Sequence, residues 1–344
     1  MTLKLKRWHK ALIIISVIIL VWGTIAIFPR SKVKNNPLIV NDSLPLLIAH
    51  RGGRCEFPEN TLEAYYNAYS INPNVMLETD VSITSDGVLV MCHDLALDRT
   101  TNITGLVSNY TYDYLLKNVD FNYSNPMISS DLGYDVYDQS KPREQYISSH
   151  PNFDGKTVKP SDVTYPSGVS ARHESKFLVT TLEEVLIAFP NNLISVEIKQ
   201  DGQLGALALK ETINLLEKYN SFDRVSLGSF NSDIYKLLKE YKKQYKNLIF
   251  SPEYMGAAGL LITSWFLVDL FYFEPITCLQ VPMDMSGIQI ATRNFVATAH
   301  RHNIAVQFWT INKVEDMRRL IDLKVDGIMT DYPSRLQEVY NSQK

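Results

Sequence analysis

The chain has 344 residues, of which 45% are hydrophobic, so it is long enough for one large domain or two of ordinary size. Its formal net charge of -3 provides no basic surface of the kind that nucleic-acid binding requires, and we expect no nucleic-acid partner. The three cysteines, Cys55, Cys92 and Cys278, are too few and too scattered for a disulfide framework or a thiolate metal site; we expect free thiols, although one pair could bridge in an oxidising compartment.

An apolar segment near the N-terminus predicts a membrane anchor. Residues 11–28 are apolar apart from Ser16, Gly23 and Thr24, and as a helix they would cover roughly 27 Å, close to the hydrocarbon thickness of a bilayer. A signal peptide is the alternative, although no good small-x-small cleavage site follows the apolar core. We therefore predict a single-pass membrane protein with a basic flank at 1–10, the anchor at 11–28 and a polar tether at 29–44. The slight excess of positive charge before the anchor favours an extracytoplasmic position for the rest of the chain.

From residue 45 onward, short apolar runs alternate with segments of helical period. Strands are predicted at 46–49, 75–83, 88–91, 193–199, 225–230, 248–251, 278–281, 304–310 and 325–331, and helices at 61–71, 182–189, 204–219, 232–241, 292–302, 313–323 and 334–340. We expect Asn60 to be the N-cap of the first of these helices. Such alternation is typical of parallel βαβ units, and about eight of them predict an α/β fold, a (β/α)8 TIM barrel over residues 45–344. An open doubly wound sheet is the alternative, but it usually carries a glycine-rich phosphate turn after its first strand, which is missing here.

Two segments depart from this alternation. Residues 120–176 are rich in Asn, Ser, Tyr, Asp and Pro, and they predict an insertion on the rim of the barrel that either shapes substrate access or is mere decoration. Residues 256–273 contain five aromatic residues and one charge, Asp269. They predict either a barrel helix with an apolar outer face or an element that rests on the bilayer beside the anchor. A second transmembrane span is disfavoured because it would split the barrel across the membrane.

Acidic residues on two predicted strands suggest a metal site. Residues two apart on a strand face the same side, as Glu78 and Asp80 do, and as Glu197 and Lys199 do on a later strand. If these strands share one barrel, three carboxylates and one ammonium group converge at its carboxyl mouth. Three carboxylates repel one another, and a hard divalent cation, Mg²⁺ or Ca²⁺, would relieve that repulsion. Spacing alone is a weak signal, and carboxylates exposed at a strand end are the competing interpretation.

Histidines and cations near the same strand ends add to this pattern. His50 and His93 each follow an apolar run, and two imidazoles can supply a general base and a general acid at neutral pH. Arg51 and Lys199 carry positive charge suited to a phosphate group. By contrast, His300 and His302 are predicted to be surface or rim residues because they lie in a helix with Arg301.

Several motifs together resemble the glycerophosphodiester phosphodiesterase family. They are His50-Arg51-Gly52, Pro58-Glu59-Asn60-Thr61, Glu78-x-Asp80, Thr84-x-Asp86-Gly87, His93-Asp94, Thr181-Leu182-Glu183-Glu184, Glu197-x-Lys199, Trp309-Thr310 and the run from Asp326 to Pro333. Their occurrence in this order is far more specific than any one of them. The resemblance covers residues 45–340 and implies a TIM barrel.

The resemblance also implies an activity and a set of roles. The family hydrolyses glycerophosphodiesters to glycerol phosphate and an alcohol with a divalent cation, Mg²⁺ or Ca²⁺, and the neighbouring glycerol hydroxyl is thought to attack first and give a cyclic phosphate. The roles that it implies here are metal ligands for Glu78, Asp80 and Glu197, the acid/base pair for His50 and His93, phosphate contacts for Arg51 and Lys199, and a pocket wall for Trp309.

Two further functions remain open. The predicted anchor and the apolar segment at 256–273 would also suit a lysophospholipid, so a lysophospholipase-D-like reaction at the same site is the first alternative. The second is an inactive, membrane-anchored binding module. It is disfavoured because the chain retains both histidines and all three carboxylates that the resemblance identifies.

Overall fold

The computed structural model of the chain describes residues 6–41, 44–124 and 157–343. The strands in chain order are β1 (Leu46–Ala49), β2 (Met76–Ile83), β3 (Leu89–Met91), β4 (Ile194–Ile198), β5 (Val225–Gly228), β6 (Ile249–Phe250), β7 (Cys278–Val281), β8 (Asp284–Met285), β9 (Ile288–Gln289), β10 (Ala305–Phe308) and β11 (Gly327–Thr330). The helices are α1 (Arg7–Ile27), α2 (Leu62–Ile71), α3 (Tyr112–Asn118), α4 (Leu182–Ala188), α5 (Gly202–Lys218), α6 (Ser232–Gln244), α7 (Tyr254–Trp265), α8 (Arg293–Arg301), α9 (Val314–Asp322) and α10 (Pro333–Asn341).

Eight parallel strands form the barrel. Their order is β6-β5-β4-β2-β1-β11-β10-β7, while β3 pairs with β2 in the antiparallel sense and β8 pairs with β9 in a separate hairpin. At the seam between β6 and β7, the backbone N–H of Thr277 donates to the carbonyl of Phe250 at 3.0 Å. The predicted (β/α)8 TIM barrel is therefore confirmed, and the open doubly wound sheet is not found.

Helix starts follow local sequence signals. Thr61, Thr181, Asn231 and Thr292 cap α2, α4, α6 and α8 with their side chains, which accept backbone N–H groups of the first turn. The prediction that Asn60 caps the first barrel helix is wrong. Thr61 accepts the N–H of Ala64 at 3.2 Å instead, and the amide of Asn60 points to Asp80.

The floor of the barrel, at the amino ends of its strands, is closed by the segment predicted to be a tether. Leu38 is fully buried in a small apolar cluster with Ile48 and Met329. The amide of Asn36 donates to the carbonyls of Thr277 and Asn303, and the backbone N–H of Val40 donates to Asp326. This segment is therefore docked on the floor rather than extended between anchor and barrel.

Helix α1 has no buried residue, and it is the one helix among the described residues that is long and apolar enough to cross a membrane. The C-terminal end of α1 meets the barrel, and there the indole N–H of Trp22 donates to the carbonyl of Phe266 at 2.7 Å. Just after the helix, Arg30 binds the buried carboxylate of Asp269 at 2.8 Å.

Asp269 gathers further basic groups on the same side of the barrel. Arg301 binds it at 2.7 Å and the ring of His302 lies 3.2 Å away, while His300 lies 2.7 Å from Asp326. The expectation that His302 is a surface or rim residue is wrong, since it is only 4% exposed. The helical pattern of the sequence could not reveal that His302 is buried, because its acidic partner, Asp269, comes from a distant loop.

The predicted rim insertion at 120–176 is described only at its two ends, and residues 125–156 lie outside the described residues. The later end packs on the outside of the barrel: Tyr165 contacts Tyr66 of α2, and Arg172 binds Glu63 and Glu184. The apolar segment at 256–273 forms most of α7 and the loop after it.

None of the three cysteines, all within the described residues, forms a disulfide bond, and all three are buried. The prediction that the cysteines are free thiols is therefore confirmed.

Candidate active site

The turn after β1 directs backbone groups toward a carboxylate. Arg51 adopts a left-handed conformation (φ 52°), and its backbone N–H donates to Oε2 of Glu78 at 2.8 Å. Gly52 follows with φ 85°, and a Cβ there would lie 2.7 Å from the Cβ of Ala64. Helix α2 thus packs against the turn only because the residue after Arg51 is glycine.

Three carboxylates meet at the carboxyl ends of β2 and β4. Asp80 lies directly opposite Glu197 in the parallel register, and one carboxylate oxygen each from Glu78, Asp80 and Glu197 lies within 4.8 Å of the others. Burial and the neighbouring charge of Asp80 raise the pKa of Glu78 well above its usual range, and the same two causes raise the pKa of Glu197. The cluster is therefore short of positive charge.

Two cations border the cluster. The Nζ atom of Lys199 lies 2.9 Å from Glu197 and 3.6 Å from Asp80, and the Nε atom of Arg51 lies 3.3 Å from Asp80. Burial alone would raise the pKa of Asp80, but Arg51 and Lys199 lower it. The buried Nε atom of Arg51 pairs with Asp80 by charge but makes no hydrogen bond among the described residues.

Each of the two histidines is held by a carboxylate through its Nδ1 atom. Nδ1 of His50 lies 2.6 Å from Asp331, and Nδ1 of His93 lies 2.7 Å from Asp94. This leaves Nε2 of both rings for a substrate, and Nε2 of His50 lies 4.0 Å from Glu78. Burial lowers the pKa of His50, and the Asp331 carboxylate opposes part of that change.

An ion network centred on a buried carboxylate connects these groups. Glu59 is 1% exposed and binds both Arg51 (3.0 Å) and Arg99 (2.8 Å), and Arg99 in turn binds Asp94 at 2.6 Å. Although burial alone would raise the pKa of Glu59, Arg99 and Arg51 lower it to about 2. The network therefore fixes Arg51 on one side and the partner of His93 on the other.

All eight residues singled out in the sequence line one cavity of about 280 Å³ at the carboxyl mouth of the barrel. They are Glu78, Asp80, Glu197, His50, His93, Arg51, Lys199 and Trp309. Phe230, Pro252 and Gln280 complete the side of the cavity next to Trp309. No described residue of the rim segment 120–176 lines it.

The supporting residues Asp331, Glu59 and Arg99 were not assigned roles from the sequence. Asp331 and Glu59 lie in motifs that resemble the glycerophosphodiester phosphodiesterase family, and this membership was the signal that could have identified them. Nothing in the sequence singles out Arg99. His50 and Asp331 are 281 positions apart, and Glu59 and Arg99 are 40 positions apart, so that spacing could not reveal these two pairs.

The donor set fits a hard divalent cation. Glu78, Asp80 and Glu197 offer oxygen atoms only, and such ligands suit Mg²⁺ or Ca²⁺. The raised pKa values of Glu78 and Glu197 support this fit, because Arg51 and Lys199 do not supply enough positive charge to keep both groups at their usual values.

The chain is similar to known proteins over most of its length. Residues 50–335 match the model of the glycerophosphoryl diester phosphodiesterase family. The chain is 27% identical over 296 residues to the glycerophosphodiester phosphodiesterase of Caldanaerobacter subterraneus subsp. tengcongensis, covering 85% of this chain and 96% of that protein. It is 24% identical over 316 residues to the human protein named Lysophospholipase D GDPD1, covering 85% of this chain and 84% of that protein.

Solved structures share the fold. A glycerophosphodiester phosphodiesterase from Agrobacterium tumefaciens aligns with a TM-score of 0.57 at 17% identity and covers 86% of this chain and 100% of its own. A phosphodiesterase from Oleispira antarctica, in complex with the product sn-glycerol-3-phosphate, aligns with a TM-score of 0.58 at 19% identity and covers 87% of this chain and 97% of its own. At these identities the likeness supports the barrel.

Proposed function

Because this chain belongs to the glycerophosphoryl diester phosphodiesterase family, and is thus a phosphoric diester hydrolase that acts on glycerophosphodiesters, we propose that the eight residues lining the cavity carry out this reaction. The single observation that carries the proposal is the placement of two carboxylate-held imidazoles in one cavity with three carboxylates and two cations. The products are glycerol phosphate and an alcohol.

In the proposed reaction, Arg51 and Lys199 bind the phosphate oxygens. One imidazole accepts the proton of the glycerol hydroxyl next to the phosphate while that oxygen attacks phosphorus, and the other imidazole donates a proton to the departing alcohol oxygen. Water then opens the resulting cyclic phosphate. His50 and His93 are the two imidazoles, and Trp309 lines the space for the substrate beside them.

Glu78, Asp80 and Glu197 would hold the divalent cation. When bound there, it would neutralise phosphate charge and stabilise the charge that develops in the transition state. Lys199 remains protonated beside this centre, because the carboxylates of Asp80 and Glu197 raise its pKa although burial opposes them. The ammonium is thus ready to bind phosphate.

The test is hydrolysis of glycerophosphocholine and related water-soluble diesters by the full-length protein, with and without chelator. We expect His50→Ala and His93→Ala each to lower kcat by about 10²- to 10⁴-fold with metal saturating. We expect Glu78→Ala mainly to raise the metal concentration that activity requires, and His173→Ala, at an exposed rim position, to behave as wild type.

Near-full activity of either catalytic histidine variant at saturating metal would refute the acid/base assignment. If the wild-type protein hydrolysed no diester with either Mg²⁺ or Ca²⁺, the inactive binding module would be the better account.

We also propose that α1 stays in the mature protein as a single transmembrane span, with the barrel outside the cytoplasm. Each large apolar side chain from Leu12 to Val21 is more than half exposed, so that this surface requires a lipid environment. A cleaved signal peptide would lose the contact between Trp22 and Phe266.

A lysophospholipid is the second candidate substrate for the same site. The human relative carries the name Lysophospholipase D GDPD1, and the exposed aromatic residues around α7 favour contact with lipid. The side chains of Trp265, Phe266, Phe271 and Phe273 are 50–75% exposed.

A further inference from the structure

An apolar groove lies between α7 and the hairpin of β8 and β9. Its volume is about 530 Å³, against about 280 Å³ for the catalytic cavity. Met255, Ile262 and Trp265 of α7 form one wall, and Met285 and Ile288 of the hairpin form the other. These five side chains are 43–73% exposed, so that the groove presents a large apolar surface without cover by other described residues.

The groove is continuous with the catalytic cavity. Phe230, Pro252, Gln280 and Trp309 line both. The ring of Phe230 lies 6.2 Å from that of Trp309 and stacks at 4.6 Å on that of Tyr254, which belongs to the groove. A diester bound at the carboxylates can therefore extend one substituent past this aromatic wall.

We infer that the groove is a subsite for the acyl chain of a single-chain glycerophospholipid whose phosphate occupies the catalytic cavity. The inference rests on the proposed function and names the substrate class of that same site. Glu253 is the one charged residue among the described residues that line the groove, so the surface suits a hydrocarbon chain.

The proposed chemistry selects for one chain. A lysophospholipid with its chain on the outer glycerol carbon keeps a free hydroxyl beside the phosphate, and this hydroxyl is the nucleophile. Its oxygen bonds to phosphorus, the bond to the head-group oxygen breaks, and that oxygen takes the proton from the second imidazole. A two-chain lipid has esterified this hydroxyl and lacks the nucleophile.

The far end of the groove lies where the anchor meets the barrel. Trp265 lines the groove, and the carbonyl of the next residue, Phe266, accepts the indole N–H of Trp22 in α1 at 2.7 Å. Phe266 is itself 60% exposed, and aromatic side chains favour the membrane–water interface. The groove thus reaches the point where α1 meets the barrel.

The experiment uses the full-length protein reconstituted in dioleoylphosphatidylcholine vesicles. Substrates are glycerophosphocholine and a series of lysophosphatidylcholines of increasing chain length, each below its critical micelle concentration. We expect kcat/KM to rise about two- to fourfold for each methylene that the groove covers. We expect no hydrolysis of the vesicle lipid, because it has two chains.

Two substitutions place a charge in the groove: Ile262→Asp on α7 and Met285→Asp on the hairpin. Each should lower the ratio of kcat/KM for long-chain lysophosphatidylcholine to that for glycerophosphocholine at least tenfold. The matched control is Ile187→Asp, at an exposed position of α4 remote from the groove, which should keep the wild-type ratio.

The outcomes separate the two proposals. If glycerophosphocholine is hydrolysed but the chain-length series is flat, or if Ile262→Asp and Ile187→Asp behave alike, the acyl-chain subsite is refuted and the proposed function stands. If neither glycerophosphocholine nor any lysophosphatidylcholine is hydrolysed, the proposed function is refuted, and the acyl-chain subsite that rests on it is refuted as well.

Discussion

Asp331 and Asp94 are the residues that decide which nitrogen of each histidine faces the substrate. Both carboxylates accept the Nδ1–H of a ring, and both have a lowered pKa: burial opposes the change, but the adjacent histidine together with Arg54 or Arg99 outweighs it. They therefore stay ionised at neutral pH, and Asp331 favours the protonated form of His50. In the proposed reaction Asp331 and Asp94 would be positioning residues, since they would act through His50 and His93.

The first prediction concerns Asp331→Asn. Because Asp331 raises the pKa of His50 against the effect of burial, its removal should lower that pKa further and move the limb of the kcat/KM profile that His50 controls to lower pH. We expect kcat to fall about a hundredfold from misplacement of the ring, with little change in KM. The measurement is the pH–rate profile of the variant.

The control for this prediction is Asp322→Asn, at an exposed position of α9. A loss of activity in Asp331→Asn without any shift of the profile would indicate a merely structural role for the carboxylate.

For individual residues, the sequence was enough to identify the side chains that face the cavity, but not the supporting side chains that hold them from behind. Glu78, Asp80, Glu197 and Lys199 could be found because a strand places residues two apart on one side. Glu59 and Arg99 could not, because their contacts depend on how loops pack over the barrel. The roles of the facing residues stay predictions until the variants are measured.

Among the elements, the loop after α7 is linked to two others through one buried carboxylate. Asp269 is fully buried and binds Arg30 and Arg301, and these cations lower its pKa although burial opposes the change. The carboxylate thus joins the anchor, α8 and the end of α7 at one point.

The second prediction is that Asp269→Asn strongly destabilises the barrel. It would leave Arg30 and Arg301 without their shared counter-charge, and breaking a buried pair of this kind costs about 3–5 kcal/mol. Asp233→Asn, which breaks only a solvent-exposed pair with Lys236 on α6, should leave the free energy of unfolding nearly unchanged. Chemical denaturation in detergent measures both.

Asp269 also predicts how stability depends on pH. Since its folded pKa lies below its unfolded value, its contribution is fully present above an unfolded pKa of about 3.9 and is lost as the pH falls through the lower folded value. The difference in stability between wild type and Asp269→Asn should therefore shrink in acid. A difference that stayed constant down to low pH would contradict this.

The helices that could be predicted were those with one apolar and one polar face, such as α5 and α6. For α7 the sequence left two interpretations open, a barrel helix with an apolar outer face or an element on the bilayer, because the helix is apolar on more than one side: it packs on the barrel, lines the groove and exposes Met255 and Ile262. A periodicity argument requires a polar face, so a helix of this kind escapes it.

For the molecule as a whole, α1 is the feature on which the proposed membrane location rests. The alternation of strands and helices was enough to predict the barrel, since parallel units of this size close in few ways. The docking of the tether was not predictable, because its polar composition resembles that of an exposed linker whereas one residue, Leu38, fills the barrel floor.

The third prediction concerns topology. Mass spectrometry of the mature protein should find residues 1–28 retained, and protease added to intact cells should digest the barrel. Cleavage after the apolar core would show a secreted protein, and protection of the barrel in cells with an intact membrane would reverse the proposed orientation.

The segment after α1, which is docked on the barrel floor, limits how far the barrel can move from the end of α1. Val33 and Asn36 are hydrogen-bonded to the barrel floor, and Arg30 is bound to Asp269, so only a few residues separate the end of α1 from a fixed position. A free stretch of the same length could extend by about 3.3–3.6 Å per residue. On the proposal that α1 spans a membrane, this short connection would hold the barrel at the bilayer surface, so that the enzyme would act on molecules in its own leaflet or in the adjacent solution. Encounters with lipids would then be a two-dimensional search, and lipids of a facing membrane would lie out of range.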